Sequence, residues 1–362
     1  MSEKKYKYAV YMGRFQPFHD GHAKVAERGF EIAEKLIIMV GGVDKARQAK
    51  NPFTFLERVH MIVRSVAYAD TDRLIVLGMH DHPYSNTAWA REVKTKIYLA
   101  TKEDPGSIAL IGHHKDASSF YLDMFPEWGY EEVENYNNID ATSIRNLYFN
   151  STELNIPDTG ISAAVKGFLK TFQGTDHYTS LAAEHKYICE HRKAWQTPFP
   201  SVFSTVDIAV IKDGELMIIM RGGMPGKGLR ALPGGYIDAK ETLLTSARRE
   251  LKEETGLYLT ESEFLCRLVC EPKVFDHPDR SQIGRVITHL YVLNMDGVEF
   301  MPEAGDDAAV VGFIPLSSLD SLRSTFSGDH WYMCKYAARM YETQISIREA
   351  NYVRNRRLVE QY

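Results

Sequence analysis

Tyr8-Ala9-Val10-Tyr11-Met12-Gly13-Arg14-Phe15-Gln16-Pro17-Phe18-His19-Asp20-Gly21-His22 reads as a strand, a loop and the approach to a helix. Tyr8 to Met12 is a short apolar run, Gly13 and Pro17 punctuate the loop after it, and a helical pattern begins near Ala23. The same alternation recurs outward from this stretch. Apolar runs at Leu36 to Val40, Arg73 to Gly78 and Ile108 to Ile111 are separated by helical segments. Strands alternating with helices predict an α/β fold with a doubly wound parallel sheet over the first 150 residues or so. Ligands of such sheets sit at the carboxyl ends of the strands, where His19 and His22 fall. Two histidines around Asp20-Gly21 at a helix N-terminus can donate hydrogen bonds to phosphate oxygens, and Gly21 lets phosphate approach the backbone. Without that context a loop histidine pair is simply solvated.

A second stretch is as informative: Gly235, Glu241, then Arg249-Glu250-Leu251-Lys252-Glu253-Glu254-Thr255-Gly256-Leu257. If Leu243 to Glu254 is helical, Glu250, Glu253 and Glu254 fall at i, i+3 and i+4 on one face. Like charges so close repel by a few tenths of a kcal/mol per pair on a solvated helix, which a divalent cation would compensate. Oxygen-only ligands favour magnesium, or manganese, over zinc. Taken alone, the triplet more often marks an acidic solvent-facing helix. Pro233-Gly234-Gly235 adds a sharp turn that can aim the Gly235 carbonyl at a cation, and Gly256 adds a helix stop.

A chain of 362 residues predicts about two domains, each with its own core. Residues 1–176 form the first in this reading, 177–200 a helical linker punctuated by Thr197-Pro198-Phe199-Pro200, and 201–362 the second. Longer strands there, Val206 to Ile211, Leu216 to Met220 and Arg285 to Leu293, surround the carboxylate helix. The stretch from His330 to Tyr362 reads as a helical tail without assigned chemistry. A net charge of −5 argues against a nucleic-acid binder, and Arg354, Arg356 and Arg357 read as a solvated helix face. Cys189, Cys266, Cys270 and Cys334 have neither disulfide nor zinc spacing, which suits a reducing cytoplasm. No stretch approaches a membrane span, so no membrane partner is expected. Oligomeric state, homo-oligomer included, is not legible.

The string from Gly13 to His22 resembles the H-x-G-H nucleotidyltransferase superfamily, and more narrowly the archaeal-type nicotinamide mononucleotide adenylyltransferases. Asn51-Pro52-Phe53-Thr54-Phe55-Leu56-Glu57-Arg58 is similar to that family's N-P-F-T-x-x-E-R. Asn86-Thr87-Ala88-Trp89 follows Asp81 at the family's spacing, and Asp140-Ala141-Thr142-Ser143-Ile144-Arg145 resembles its S-x-T-x-x-R loop, with Asp140 where serine is usual. That departure would replace one hydroxyl contact with a carboxylate. The resemblance implies a Rossmann-like fold in which His19, His22 and Arg145 hold ATP phosphates, aided by Thr142, with Arg14 and Lys50 adding positive charge. Lys50 stands where arginine is expected, which exchanges a bidentate contact for a point charge. Trp89 would stack on the nicotinamide ring while Asp81 and Asn86 read its carboxamide, and Gly13 and Phe15 would line the nucleotide. The plain alternative for Trp89 is a buried helix tryptophan.

The second stretch resembles the G-x5-E-x7-R-E-U-x-E-E-x-G-U signature of Nudix hydrolases, with U aliphatic, at every fixed position. This implies a Nudix α/β/α sandwich whose Glu250 and Glu254, helped by Glu253 and the Gly235 carbonyl, hold magnesium, with Arg249 and Glu241 orienting them. Lys273 to Arg280 and Gly284 to Thr288 resemble segments of Nudix enzymes acting on ADP-ribose. Arg280 or Arg285 could neutralise a diphosphate and Phe275 stack on a base or ribose. Phe275 reads equally as core, and Arg285 as a strand flank. The general base would come from the loop holding Glu303, Asp306 and Asp307. Together the halves resemble bifunctional fusions that join ATP and nicotinamide mononucleotide into NAD and split ADP-ribose into AMP and ribose 5-phosphate. The alternatives are another phosphate acceptor with a dinucleotide such as NADH as the Nudix substrate, or an ADP-ribose-sensing regulator, which the complete carboxylate box disfavours.

Overall fold

A computed structural model describes residues 4–66, 71–102, 105–112, 124–134, 136, 139–150, 160–194, 201–305 and 308–359. The chain divides into two compact units, Met1–Lys186 and Tyr187–Tyr362. The proline-punctuated stretch Thr197 to Pro200 lies outside the described residues. No helix among those described is long and apolar enough to cross a membrane.

The first unit runs β1 (Tyr6–Gly13), α1 (Asp20–Ile32), β2 (Ala33–Val40), α2 (Phe55–Val66), β3 (Leu74–Gly78), α3 (Asn86–Thr101), β4 (Ile108–Gly112), β5 (Gly129–Glu132), α4 (Ala141–Asn150) and α5 (Ala163–Gln173), with α6 (Asp176–Ala194) after them. Its strands form one sheet in the order β3-β2-β1-β4-β5, every pair parallel. Buried on both faces, β1 and β2 read as continuous apolar runs. Ala9, Tyr11, Leu36 and Ile38 face a core shared with α1, α2 and α5, while Val10, Met12, Ile37 and Met39 face Val93 and Ile97 of α3. The order reverses at β1, with β2 on one side and β4 on the other, the place at which sheets of this kind hold ligands. β5 gives no strand signal in the sequence, because Gly129-Tyr130-Glu131-Glu132 is short and half polar. Although α6 reads as a linker from the sequence, its Leu181 belongs to the first unit's core, with Tyr178 and Ala182 packed against it.

The second unit comprises β6 (Val202–Lys212), β7 (Glu215–Arg221), β8 (Arg230–Ala231), β9 (Gly234–Tyr236), α7 (Leu243–Thr255), α8 (Glu261–Cys266), β10 (Lys273–Phe275), β11 (Arg285–Asn294), β12 (Ala308–Pro315) and α9 (His330–Val359). The sheet is mixed: β6 and β11 are parallel, the other pairs antiparallel, in the order β10-β11-β6-β7-β12 with β8 on β7 and β9 on β6. Period-two alternation splits β6 between two helix layers. Val206, Ile208 and Val210 pack with Ala247 and Leu251 of α7, whereas Ala209 and Ile211 pack with Met333, Cys334 and Ala337 of α9. The C-terminal stretch is therefore one layer of the α/β/α sandwich rather than an appendage.

Candidate functional sites

At the carboxyl end of β1, α1 starts at Asp20, three residues before the expected Ala23. Its N-cap is His19, a residue type that gives no capping signal in sequence. His22 donates its backbone N–H to His19 Nδ1 at 3.4 Å, and the His19 N–H reaches His22 Nδ1 at 3.2 Å. A ring nitrogen that accepts carries no proton, so neutral His19 and His22 both hold theirs on Nε2. The rings stack with centroids 3.5 Å apart. Phe15 and Phe18 pack on the His22 ring at 4.9 and 5.4 Å and fix its orientation. Phe15 is buried in left-handed backbone at φ 53, and its ring would lie 2.8 Å from a Cβ at Gly13, so a side chain there would displace the ring.

Two arginines brace the surrounding loops. Arg58, only 1% exposed, donates to the carbonyls of Arg14, Gly41 and Gly42 at 2.9, 2.6 and 3.1 Å. Its charge is confined by burial, which lowers its pKa to about 10. Arg58 closes the N-P-F-T-x-x-E-R motif without a role of its own in the sequence, yet its spacing from buried Met61 and Ile62 puts it on the inward face of α2. Arg145 donates to the Gln16 carbonyl at 2.6 Å and to Thr142 Oγ1 at 3.2 Å; burial, then the nearby Arg14 charge, lowers its pKa to about 10. Asp140, which stands where serine is usual, caps α4 by accepting from the Thr142 and Ser143 N–H groups, both at 2.9 Å. A carboxylate thus takes the capping duty that a serine hydroxyl would have.

Arg14 pairs with Asp81 at 3.2 Å beside Gly41 and Gly42, which brings the two predicted sides of the nucleotide crevice together. Asn86 opens α3 after the Ser85 cap. Trp89 is half-buried, 5.9 Å from the Phe125 ring, so it is neither a wholly core tryptophan nor an exposed one. Lys50 is half-buried between the bridged Gln48 and Asn51.

In the second unit α7 presents Glu250, Glu253 and Glu254 at the expected spacing, with Gly256 in left-handed backbone as its stop. Arg249 is the hub. It contacts Glu241 at 3.0 Å, Glu250 at 2.7 Å, Glu253 at 2.8 Å and the Tyr236 carbonyl at 3.0 Å. Glu254 instead accepts from the Gly234 N–H at 2.8 Å, and Glu250 lies so close to Gly235 that a Cβ there would meet its Oε1 at 2.5 Å. Among the described residues no three acidic, histidine or cysteine side chains stand together as a metal trio; Glu253 is held by Arg249 and Glu254 by the Gly234 N–H. The donor set nevertheless fits a divalent cation. Burial pushes the Glu254 carboxyl up to about 8, with Glu250 adding, and a cation would restore its charged form. Glu303 donates its N–H to the Thr255 carbonyl at 2.9 Å, placing that loop at the end of α7; Asp306 and Asp307 lie outside the described residues.

Arg280 lies in a buried ion-pair network. Its side chain is 7% exposed and bidentate to Asp329, at 3.1 Å from each oxygen. Asp207 lies 3.9 Å away and accepts from Thr288, while His330 accepts the Leu232 N–H at 3.1 Å. Phe275, 4% exposed, meets Tyr336 edge-on in the core, and Arg285 donates to the Asp276 carbonyl. Sequence reasoning gives no role to Asp207, Asp329 and His330, because their partners come from distant chain segments. Asp329→Ala should cost about 3 to 5 kcal/mol by stranding a buried guanidinium. Chemical denaturation checks this, and an unchanged midpoint would show that the network does not hold the second unit.

Two family descriptions match the chain: Cytidylyltransferase-like over residues 10–147 and NUDIX domain over residues 203–336. A nicotinamide/nicotinic acid mononucleotide adenylyltransferase of Acinetobacter baylyi is 34% identical over 183 residues, 50% of this chain and 95% of that protein. An ADP-ribose pyrophosphatase of Methanocaldococcus jannaschii is 38% identical over 117 residues, 32% of this chain and 64% of its own length. A Francisella tularensis bifunctional NMN adenylyltransferase/ADP ribose pyrophosphatase, solved with AMP and manganese ion, has 33% identity and a TM-score of 0.83, covering 94% of this chain and 99% of that one. A second structure from that organism, described without a ligand, gives 35% and 0.83 over 91% and 97%. Likeness that runs through both units at a third identity reflects common descent, and the chain belongs to the family of bifunctional NMN adenylyltransferase/ADP ribose pyrophosphatases.

Proposed function

We propose that residues 1–176 join ATP and nicotinamide mononucleotide into NAD and pyrophosphate, and that residues 201–362 hydrolyse ADP-ribose to AMP and ribose 5-phosphate. The observation that carries this reading is the reciprocal histidine cap at the sheet's switch point, which engages Nδ1 of both rings. In the transferase reaction the mononucleotide 5'-phosphate attacks the α-phosphorus of ATP and pyrophosphate leaves. His19, His22, Arg14 and Arg145 act by positioning phosphates and neutralising charge that builds on their oxygens, with Thr142 and Lys50 beside them and Gly13 and Phe15 shaping the crevice. Asp81, Asn86 and Trp89 form the mononucleotide side.

For the hydrolase, Glu250 and Glu254 would hold magnesium with the Gly235 carbonyl, and Glu253 would join once Arg249 releases it. The bound cation supplies Lewis acidity and a template for the diphosphate. Glu241 and Arg249 orient the carboxylates, Arg280 or Arg285 neutralises the diphosphate, and Glu303 or Asp306 takes the proton from the attacking water. Manganese serves as substitute, as suits an oxygen-only donor set. We place the chain in the cytoplasm, on the scattered spacing of its four cysteines.

Chromatography of products from ATP plus nicotinamide mononucleotide, and separately from ADP-ribose, tests both halves; absence of NAD or of AMP would overturn the corresponding one. Trp89→Ala should weaken mononucleotide binding by about 1 to 3 kcal/mol, the worth of stacking on an aromatic face, with little change for ATP. Equal losses for both substrates would instead make Trp89 a packing residue.

A further inference from the structure

One carboxylate on α3 gathers more partners than a solvated helix face requires. Glu92 Oε1 accepts the His80 backbone N–H at 3.1 Å and stands 2.8 Å from His80 Nδ1, while Oε2 stands 2.7 Å from His82 Nε2. Lys96 reaches Oε1 at 3.1 Å and also holds the Gly78 carbonyl at 2.5 Å. Burial alone would raise the Glu92 pKa, but the hydrogen bonds from His82, the His80 backbone, Lys96 and the His80 ring outweigh it and bring it to about 2. The carboxylate therefore stays charged at any working pH, as suits a fixed strut rather than a switch.

The two imidazoles flank Asp81 in sequence, so a single α3 side chain ties down the segment leaving β3 on both sides of Asp81. Asp81 in turn meets Arg14 at 3.2 Å, and a Cβ on Gly41 or Gly42 would lie 3.6 or 3.4 Å from its carboxylate. Trp89 stands three residues before Glu92 on α3, hence on the same side of the helix one turn away. We propose that Glu92 is a positioning residue for adenylyl transfer: by binding His80 and His82 it sets the separation between Asp81 and Trp89, and so the width of the mononucleotide subsite. The inference rests on reading Asp81 and Trp89 as that subsite.

Steady-state kinetics of the full chain separate the two claims. Glu92→Ala should raise the KM for nicotinamide mononucleotide about tenfold or more, since misplacement by about 1 Å can cost a hundredfold. The KM for ATP should stay within about twofold. Glu92→Gln, which can still accept the His80 N–H, should recover part of the loss, and His82→Asn, which removes one of the two ties, should fall between and serves if the alanine variant does not fold. Equal rises in both KM values, or a lowered Tm with unchanged KM, would overturn the proposal in favour of a purely structural strap. Asp81→Asn and Trp89→Ala test the subsite itself. If neither changes the mononucleotide KM, the subsite reading fails and the proposal with it; if they do and Glu92→Ala does not, only the proposal fails.

Discussion

Glu254→Gln should lower ADP-ribose hydrolysis by more than about a hundredfold at every magnesium concentration, because partners one step removed from a metal already carry 10- to 100-fold effects. The same change should leave the metal-free second unit folded. Glu254 is buried beside Glu250 and its carboxyl titrates at about 8. With a folded-state pKa raised above the ordinary 4.5, the group's contribution to stability is full below about pH 4.5 and is lost as pH rises through about 8. Metal-free unfolding should therefore show stability declining across that window in the parent and a flatter profile in Glu254→Gln. A divalent cation should stabilise the parent more than the variant, most of all at the alkaline end. If the variant hydrolyses ADP-ribose at the parent rate throughout a magnesium titration, Glu254 does not hold the cation, and Glu250 with Glu253 becomes the pair to test.

His22→Ala should reduce NAD synthesis by on the order of a hundredfold or more, the usual cost of removing a donor that stabilises developing charge. ADP-ribose hydrolysis should continue, since the two chemistries belong to separate units of the chain. His22 also accepts the His19 backbone N–H, so the alanine variant should lose about 1 kcal/mol of stability from the helix cap. His22→Gln separates these effects, because glutamine at the third helical position can still reach back to the cap. It should restore the lost stability but not the rate. Recovery of full transfer activity by His22→Gln would mean that the cap, and not the imidazole donor, is what the reaction needs. Parallel loss of both activities in a folded variant would count against separate sites.

The central strands, the carboxylate helix and its glycine stop, and the histidine pair were legible because each is a local pattern: apolar runs of strand length, carboxylates at helical spacing, a turn residue where the backbone must turn. The family resemblance added the substrates. By itself the sequence could not show that a histidine caps α1, since histidine is not among the residues that signal an N-cap. Tertiary structure alone decided where the buried charges go. Arg58 appears in the sequence only as the last residue of a family motif, and only the fold shows it joining the carbonyls of Arg14, Gly41 and Gly42. Arg280 meets Asp329 across 49 residues of chain, a pairing that its place in the sequence does not announce. The C-terminal stretch became a layer of the second unit because its apolar face finds Ala209 and Ile211 on the sheet. Local periodicity fixes which face of an element is apolar, whereas the partner of a buried charge is fixed by which distant segment the fold brings to hydrogen-bonding distance, and no spacing along the chain encodes that.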